Sequence, residues 1–234
     1  MATHSAASTS AEDYAKAIYS LTRETPDEGA STNDLAERLG ISTGAVSTMI
    51  RRLDDAGLAE HVPYHGVRLT DDGRRLALRV IRRHRILELF LVHSLDMPWQ
   101  DVHQHAETLE HAASDELIEL IAQHLGNPTI DPHGDPIPDR NLEIVEPDLT
   151  RVSDLTPGEP AELARVSDAD PEMLAYLAGR GIGIGSRLAV IARQPFDGPT
   201  DLEVDGAAVS LGTPLTRAMY ARRRPAPPYV VDGS

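Results

Sequence analysis

The stretch Ser31-Thr-Asn-Asp-Leu-Ala-Glu-Arg-Leu-Gly40-Ile-Ser42-Thr-Gly-Ala-Val-Ser-Thr-Met-Ile-Arg-Arg-Leu53 constrains the fold of this chain more than any other. Leu35, Ala36 and Leu39 fall on one face of a short helix, and Gly40 supplies its left-handed C-cap. Ser42 is an N-cap for a second helix whose buried face is Val46, Met49, Ile50 and Leu53. Two short helices with so tight a connection predict a helix-turn-helix. Two short alternating segments then follow between Gly57 and Thr70, around Tyr64-His65-Gly66, and predict a hairpin. Together they predict a winged helix.

The formal net charge of −15 argues against a nucleic-acid partner, because such binding depends on Lys and Arg displacing counterions from phosphates. The average conceals a gradient. Residues 30–85 hold ten Arg against seven Asp and Glu, a local excess of +3 that leaves −18 for the remainder. Basic charge concentrated on the helix-turn-helix segment points to double-stranded DNA. Ser42, Thr43, Gly44, Ser47 and Thr48 are the candidates for base edges in the major groove, and Arg51 and Arg52 for phosphates. The alternative for such a module is a protein-interaction scaffold. The basic residues are 21 Arg and a single Lys, Lys16.

The rest of the 234 residues divides by pattern. A helix over Ala11 to Leu21 carries Tyr14, Ile18 and Leu21 as its buried stripe. A long helix runs from Asp71 to Leu95, and a further one, capped at Asp96, carries apolar positions from Val102 through Ile121 to Gly126. That much apolar surface beside a small wing predicts packing against a second copy, a homodimer. Asp131-Pro-His-Gly-Asp-Pro-Ile-Pro138 reads as a proline/glycine linker followed by acidic sequence to Asp148. Short alternating strands at Glu159–Val166, Arg187–Ala192, Leu202–Val204 and Ala208–Leu211, around a helix at Pro171–Gly179, predict a small β-barrel. The expected fold class is therefore mainly α with a C-terminal all-β domain. The expected domains are a winged helix over 1–75, a helical domain over 76–140, a linker over 141–154, a barrel over 155–222 and a disordered tail over 223–234. A composition of 41% hydrophobic and 25% charged residues suits a soluble globular protein. No run approaches the roughly 18 apolar residues of a membrane span, and the first ten residues lack the features of a secretion signal, so no membrane and a cytoplasmic location are expected.

Cysteine is absent, so any bound metal relies on oxygen and imidazole. Seven of the ten histidines fall between His84 and His133. His103, Glu107, Glu110 and His111 lie within an arc of roughly 100° on a helix of 100° per residue. His84 and Glu88, one turn apart on the preceding helix, could face them if the two helices pack antiparallel. Asp13 joins the set if its helix docks nearby. Any single Glu/His pair is more simply a solvated helix face, but six ligand-type residues on adjacent helices beside an apolar stripe favour metal. Hard donors suit Mn(II) or Fe(II), with Zn(II) always competing on affinity. Clustered carboxylates and histidines also occur in binuclear hydrolases. No further general base or substrate pocket is legible, so no enzyme is expected. Gly181-Ile-Gly-Ile-Gly185 lacks the spacing of a dinucleotide fingerprint and reads as a turn.

Winged helix, Arg82-Arg-His84-Arg-Ile-Leu-Glu88, Val102-His103-x3-Glu107-x2-Glu110-His111, proline linker and small barrel together resemble the diphtheria toxin repressor family, over about residues 10–220. Within it the chain is similar to the manganese transport regulators that retain a C-terminal SH3-like domain. The resemblance implies a metal-activated repressor of metal-uptake genes that binds a palindromic operator as a dimer. It implies a primary site of Asp13, Glu107, Glu110 and His111. A second site would comprise His84, Glu88 and His103 with Asp170 and Glu172 of the SH3-like domain, His84 serving the primary site where that site is binuclear. Asp13 and Glu107 stand where the iron-responsive branch has methionine and cysteine. Hard ligands replacing soft ones imply Mn(II), with Fe(II) the alternative and Zn(II) or Co(II) able to substitute in vitro.

Overall fold

The structure, a computed structural model, describes residues 6–23, 29–62 and 66–224. Its helices are α1 (Ala6–Thr22), α2 (Thr32–Leu39), α3 (Thr43–Asp55), α4 (Asp71–Leu95), α5 (Val102–Glu110), α6 (Asp115–His124), α7 (Pro171–Ala178) and α8 (Thr213–Ala218). Its strands are β1 (Ala59–Val62), β2 (Gly66–Leu69), β3 (Thr150–Arg151), β4 (Pro160–Val166), β5 (Arg187–Arg193), β6 (Thr200–Val204), β7 (Ala207–Leu211) and β8 (Met219–Arg223). They fall into two compact units, one of Met1–Leu87, Glu107–Asn127 and Ile137–Ile144, the other of Glu88–Ala106, Pro128–Pro136 and Val145–Ser234.

In the first unit the local signals act as read. The Ser31 hydroxyl accepts from Asp34 N and that of Ser42 from Ala45 N, each relieving an orphan donor at a helix start. Gly40 takes φ 65°, and its N–H closes α2 on the Ala36 and Glu37 carbonyls. Tyr14, Ala17 and Ile18 of α1 pack with Leu35, Val46, Ile50 and Leu53 of α2 and α3 and with Ala59 and Val67 of the hairpin. The wing is an antiparallel β1–β2 pair in which Val62 faces Gly66; its expected turn at Tyr64-His65 lies outside the described residues. The opposite face of α1, Ala15 and Tyr19, buries against Ala77, Leu78 and Ile81 of α4. One helix thus packs on both the winged-helix module and the long helix.

The sequence from Val102 to Gly126 forms two helices, not one. The chain leaves α5 after Glu110, and Ser114 caps α6 by accepting from Leu117 N. Asp96, expected as a cap, instead sits in a left-handed turn at φ 53°.

In the second unit a six-stranded sheet runs β3-β8-β4-β5-β6-β7, with all pairs antiparallel. Its inner face, including Leu163, Val190, Leu202, Leu211 and Met219, closes on Leu174 and Leu177 of α7. This is the SH3-like all-β domain. β8, between β3 and β4, holds Arg223, the first residue of the expected tail; residues 225–234 lie outside the described residues. The expected linker 131–138 is largely buried and ordered. Val166 N donates to His133 O, and Gly134 at φ 89° lies so close to β4 that a Cβ there would sit 1.9 Å from Ala164 O. Among the described residues, no helix is long and apolar enough to cross a membrane.

Candidate metal centres and DNA-reading surface

A first cluster assembles where α1 meets the end of α5. Asp13, Glu110 and His111 bring ligand atoms within 4.8 Å of one another. His111 Nε2 lies 2.9 Å from Asp13 Oδ1 and 3.6 Å from Glu110 Oε1. Its other nitrogen, Nδ1, donates at 2.8 Å to Glu12 Oε2, so the imidazole is held with Nε2 toward Asp13. Glu12 was not legible as part of the site. It is 5% exposed and its other oxygen lies 3.6 Å from Arg83, which is anchored in turn by Asp115 at 2.8 Å. Glu107, one turn before His111, is half-exposed and 3.6 Å from Lys16 Nζ. His84 joins this cluster, its Nδ1 lying 2.5 Å from Glu110 Oε2 and 3.0 Å from Lys16 Nζ. Burial pushes the Asp13 carboxyl up, an effect only partly offset by His111. Burial also works to raise Glu110, but the His84 hydrogen bond and the Lys16 charge outweigh it and hold that carboxyl below its ordinary range.

A second cluster forms on Glu88, which is fully buried. Glu88 Oε1 lies 3.3 Å from His103 Nδ1, and Asp168 Oδ2 lies 3.2 Å from the same nitrogen. Asp131 and His133, from the supposed linker, bring ligand atoms within 4.8 Å of Glu88. Asp131 Oδ1 accepts from His133 N and Asp135 N, both at 2.9 Å, which fixes the loop. His133 is completely buried and stacks on Trp99. Its Nε2 donates to Trp99 O at 2.9 Å, which turns Nδ1 toward Glu88 Oε2, 3.7 Å away. Nδ1 makes no hydrogen bond there. A buried imidazole nitrogen with its partner ring position fixed by a carbonyl and a carboxylate ahead of it is the arrangement a metal ligand needs.

The expected ligands Asp170 and Glu172 are not brought to this cluster. Asp170 caps α7, accepting from Glu172 N and Met173 N, and Glu172 is exposed on the first turn. Asp168, two residues earlier, takes the place expected of them. Its hydrogen bond and that of Glu88 carry His103 up to about 10. Burial alone would lower His133, but the Glu88 and Asp131 carboxylates raise it to about 9. Burial tends to raise Asp168, and the His103 hydrogen bond lowers it well below the carboxylate range.

At the start of α3, Ser42, Thr43, Gly44 and Thr48 are exposed and Ser47 is partly so, with Arg51 and Arg52 exposed beyond them. The hydroxyls of Ser47 and Thr48 donate to the Thr43 and Gly44 carbonyls. A Cβ on Gly44 would meet nothing within 4 Å, so no packing within the chain demands glycine there.

The family described as iron dependent repressor, N-terminal DNA binding domain, matches residues 7–67, and its metal binding and dimerisation domain matches 70–139. The FeoA domain matches 150–223. The diphtheria toxin repressor of Corynebacterium efficiens is 32% identical over 199 residues, covering 81% of this chain and 85% of its own. This chain belongs to the diphtheria toxin repressor family. It is a metal-dependent transcriptional repressor. The iron-dependent repressor IdeR of Mycobacterium tuberculosis is 32% identical to this repressor over 193 residues, 76% of this chain and 82% of that one. A solved structure described as a manganese-dependent transcriptional repressor in complex with manganese superposes with a TM-score of 0.85 at 44% identity, covering 92% of this chain and all of that one. ScaR with bound Zn2+ superposes on the repressor at 0.79 and 31% identity, covering 92% and 99%.

Proposed function

We propose that this repressor responds to Mn(II), binds a palindromic double-stranded operator as a homodimer and thereby controls metal-ion uptake genes in the cytoplasm. The observation that carries the metal assignment is the donor set. Asp13, Glu107, Glu110, His111 and His84 around the first cluster, and Glu88, His103, Asp131, His133 and Asp168 around the second, offer carboxylate oxygen and imidazole and no sulfur. Such donors favour Mn(II) over softer ions, with geometry and supply excluding Zn(II) or Co(II) despite their higher intrinsic affinity. Similarity to a manganese-dependent repressor supports the same choice. Fe(II) is the second reading, favoured by relatives named as iron-dependent.

The ion would supply a fixed point joining α1 to α5. Asp13 is on the same helix as Tyr14 and Ile18, which are packed in the recognition module, while Glu110 and His111 sit at the end of α5. Holding Asp13 and His111 together therefore restricts the recognition helix α3 relative to α5 and α6. Leu109, Leu117 and Leu120 of α5 and α6 are exposed apolar side chains, and they supply the face for a second copy. A two-fold dimer reads a palindrome only when its recognition helices are about 34–36 Å apart. A 100-fold gain in DNA affinity requires about 2.7 kcal/mol of differential binding, within what coupled sites commonly supply. Ser42, Thr43, Gly44, Ser47 and Thr48 would then meet base edges, with Gly44 allowing close backbone approach, and Arg51 and Arg52 would meet phosphates. A repressor of this kind acts through DNA occupancy rather than catalysis.

The test is DNA binding by fluorescence anisotropy at fixed salt on the chain's own promoter region, with chelator, Mn(II), anaerobic Fe(II), Co(II) and Zn(II). Activation at the lowest free concentration relative to cellular supply by Mn(II) supports the proposal. Activation by Fe(II) alone would replace it with the second reading, and binding that ignores metal would leave the clusters structural.

A further inference from the structure

The hairpin joining β5 to β6 turns at Pro195-Phe196-Asp197-Gly198, closed by Gly198 N donating to Pro195 O at 3.2 Å. Both central residues take left-handed backbone, φ 60° at Phe196 and 55° at Asp197, a conformation such turns normally give to Asn, Asp or Gly. Phe196 adopts it and is 100% exposed. The turn is nevertheless held. Thr213 Oγ1 donates to Asp197 O at 3.0 Å, Gln194 N donates to Pro199 O at 3.0 Å, and Arg217 lies 3.8 Å from Asp197 Oδ1. A bulky ring kept in a costly conformation, with none of its surface buried, does nothing for the fold of its own chain. Held in that way it is pre-organised for insertion elsewhere.

The same domain shows how it seats aromatic rings. Arg165 lies over the Tyr220 ring, 4.0 Å from its centroid, with Arg151 at 5.5 Å, and Arg180 lies over Tyr176 at 3.4 Å. A guanidinium against a ring face is an attractive pairing. At the far end of the β5–β6 hairpin from Phe196, a groove of about 740 Å³ has two arginines and no aromatic ring among its lining residues. Arg224, Pro160, Ala189 and Glu203 form a row across the sheet there. Arg224 N donates to Pro160 O at 2.9 Å, Pro160 pairs with Ala189, and Ala189 pairs with Glu203. Arg187, two residues before Ala189 on β5, points to the same face. The partly buried Pro160 and Ala189 are small, and the exposed Arg187 and Arg224 stand beside them. β5 runs seven residues from Arg187 to Arg193, roughly 20 Å at about 3.3 Å per residue, so Phe196 cannot reach the groove of its own chain.

We propose that Phe196 of one copy of this chain seats in the groove beside Arg187 and Arg224 of a second copy, a head-to-tail contact between SH3-like domains. Each chain carries both halves at opposite ends of one hairpin, and the turn sets Asp197 beside the ring, opposite in sign to the two arginines. The contact is heterologous, so it links copies in a row instead of closing a pair. One ring buries too little area for a stable complex in dilute solution, and the contact therefore acts where copies are held side by side. Neighbouring operator sites are such a place, and that consequence, though not the contact itself, rests on the DNA-binding reading above.

The test is sedimentation velocity of the full chain in chelator and without DNA, from micromolar to millimolar protein. It is made on the natural chain, on Phe196→Ser, which removes the ring, and on Ala189→Trp and Arg187→Glu, which fill or reverse the groove. The natural chain is expected to associate beyond the species it forms at micromolar concentration, and each variant to weaken that step at least about tenfold. A mixture of Phe196→Ser with Ala189→Trp pairs an intact groove with an intact ring, so it is expected to associate where neither does alone. Absence of further association by the natural chain at millimolar concentration would overturn the proposal, as would association of Phe196→Ser equal to the natural chain's. Loss in Phe196→Ser but in neither groove variant would show that the ring seats elsewhere, and a mixture that fails to associate while both variants melt as folded proteins would exclude the head-to-tail contact. None of these outcomes depends on metal or on DNA, so a failure here is distinct from a failure of the proposed function.

Discussion

Replacing Glu12 by Gln isolates the role of a residue outside the Asp13, Glu110 and His111 set that nonetheless holds one candidate ligand, His111, in place. Glu12 Oε2 accepts from His111 Nδ1 at 2.8 Å while Oε1 faces Arg83 at 3.6 Å. Gln keeps the shape but has one acceptor oxygen for two donors, so its amide N–H2 must confront either the imidazole N–H or the guanidinium. A hydrogen bond to a charged group contributes about 1.5–3 kcal/mol, and Arg83 retains Asp115, so the fold should survive with a modest loss of stability. His111 loses the anion that fixes its orientation. Losing such an outer partner commonly weakens metal affinity about 10–100-fold, or about 1.4–2.7 kcal/mol. Mn(II) titration followed by the free-ion resonance, alongside thermal melts, measures both quantities. An affinity within twofold of the natural protein would refute the argument that Glu12 positions His111.

Three further outcomes are expected. Gly134→Ala places a methyl 1.9 Å from Ala164 O at φ 89°, so it should destabilise the second unit by about 2–5 kcal/mol in urea titrations and loosen Asp131 and His133; a neutral effect would contradict the close approach of that loop to β4. Neighbouring carboxylates carry His103 up to about 10 (Asp168 and Glu88) and His133 up to about 9 (Glu88 and Asp131) from an ordinary 6.5, so these interactions stabilise the metal-free protein fully below about 6.5 and are lost as pH rises through 9 to 10. Mn(II) must displace these protons, so its affinity for the second cluster should strengthen between pH 7 and 9, and a flat profile by calorimetry would count against His133 and His103 as ligands. The double change Leu117→Glu and Leu120→Glu removes two exposed leucines from α6, each able to contribute about 1.5–3 kcal/mol on burial, and should weaken dimerisation at least about 100-fold by sedimentation; unchanged association would place the dimer face elsewhere.

The winged helix was legible almost to the residue because its signals are local. Ser31, Gly40 and Ser42 each act within one helical turn, and the buried stripe of Val46, Ile50 and Leu53 follows from periodicity. The helical spacing that puts His103, Glu107 and Glu110 on one side of α5 was legible for the same reason, but not their division between two clusters. Tertiary relations were not. The interruption at Ala112–Ala113 carries no glycine or proline, and only Ser114 followed by Asp115 and Glu116 marked the new helix start. Proline and glycine in Asp131–Pro138 read as a flexible linker, whereas Gly134 is there to let the loop press against β4 and deliver His133 to Glu88. Asp168, Asp170 and Glu172 are equivalent as carboxylates. Only the start of α7 decides that Asp170 caps while Asp168 meets His103. Glu12 and Asp13 are neighbours, and only the fold sets Glu12 on His111 Nδ1 and Asp13 on its Nε2.

The central claim is that ligation at the first cluster governs DNA occupancy, and the most direct measurement is promoter binding by the natural chain and by His111→Ala, each with Mn(II) and with chelator at one salt concentration. The natural protein should bind at least about 100-fold more tightly with Mn(II), a difference of about 2.7 kcal/mol, while His111→Ala, folded by its melting curve, should bind weakly under both conditions. Equal Mn(II) activation of the two proteins would contradict the account.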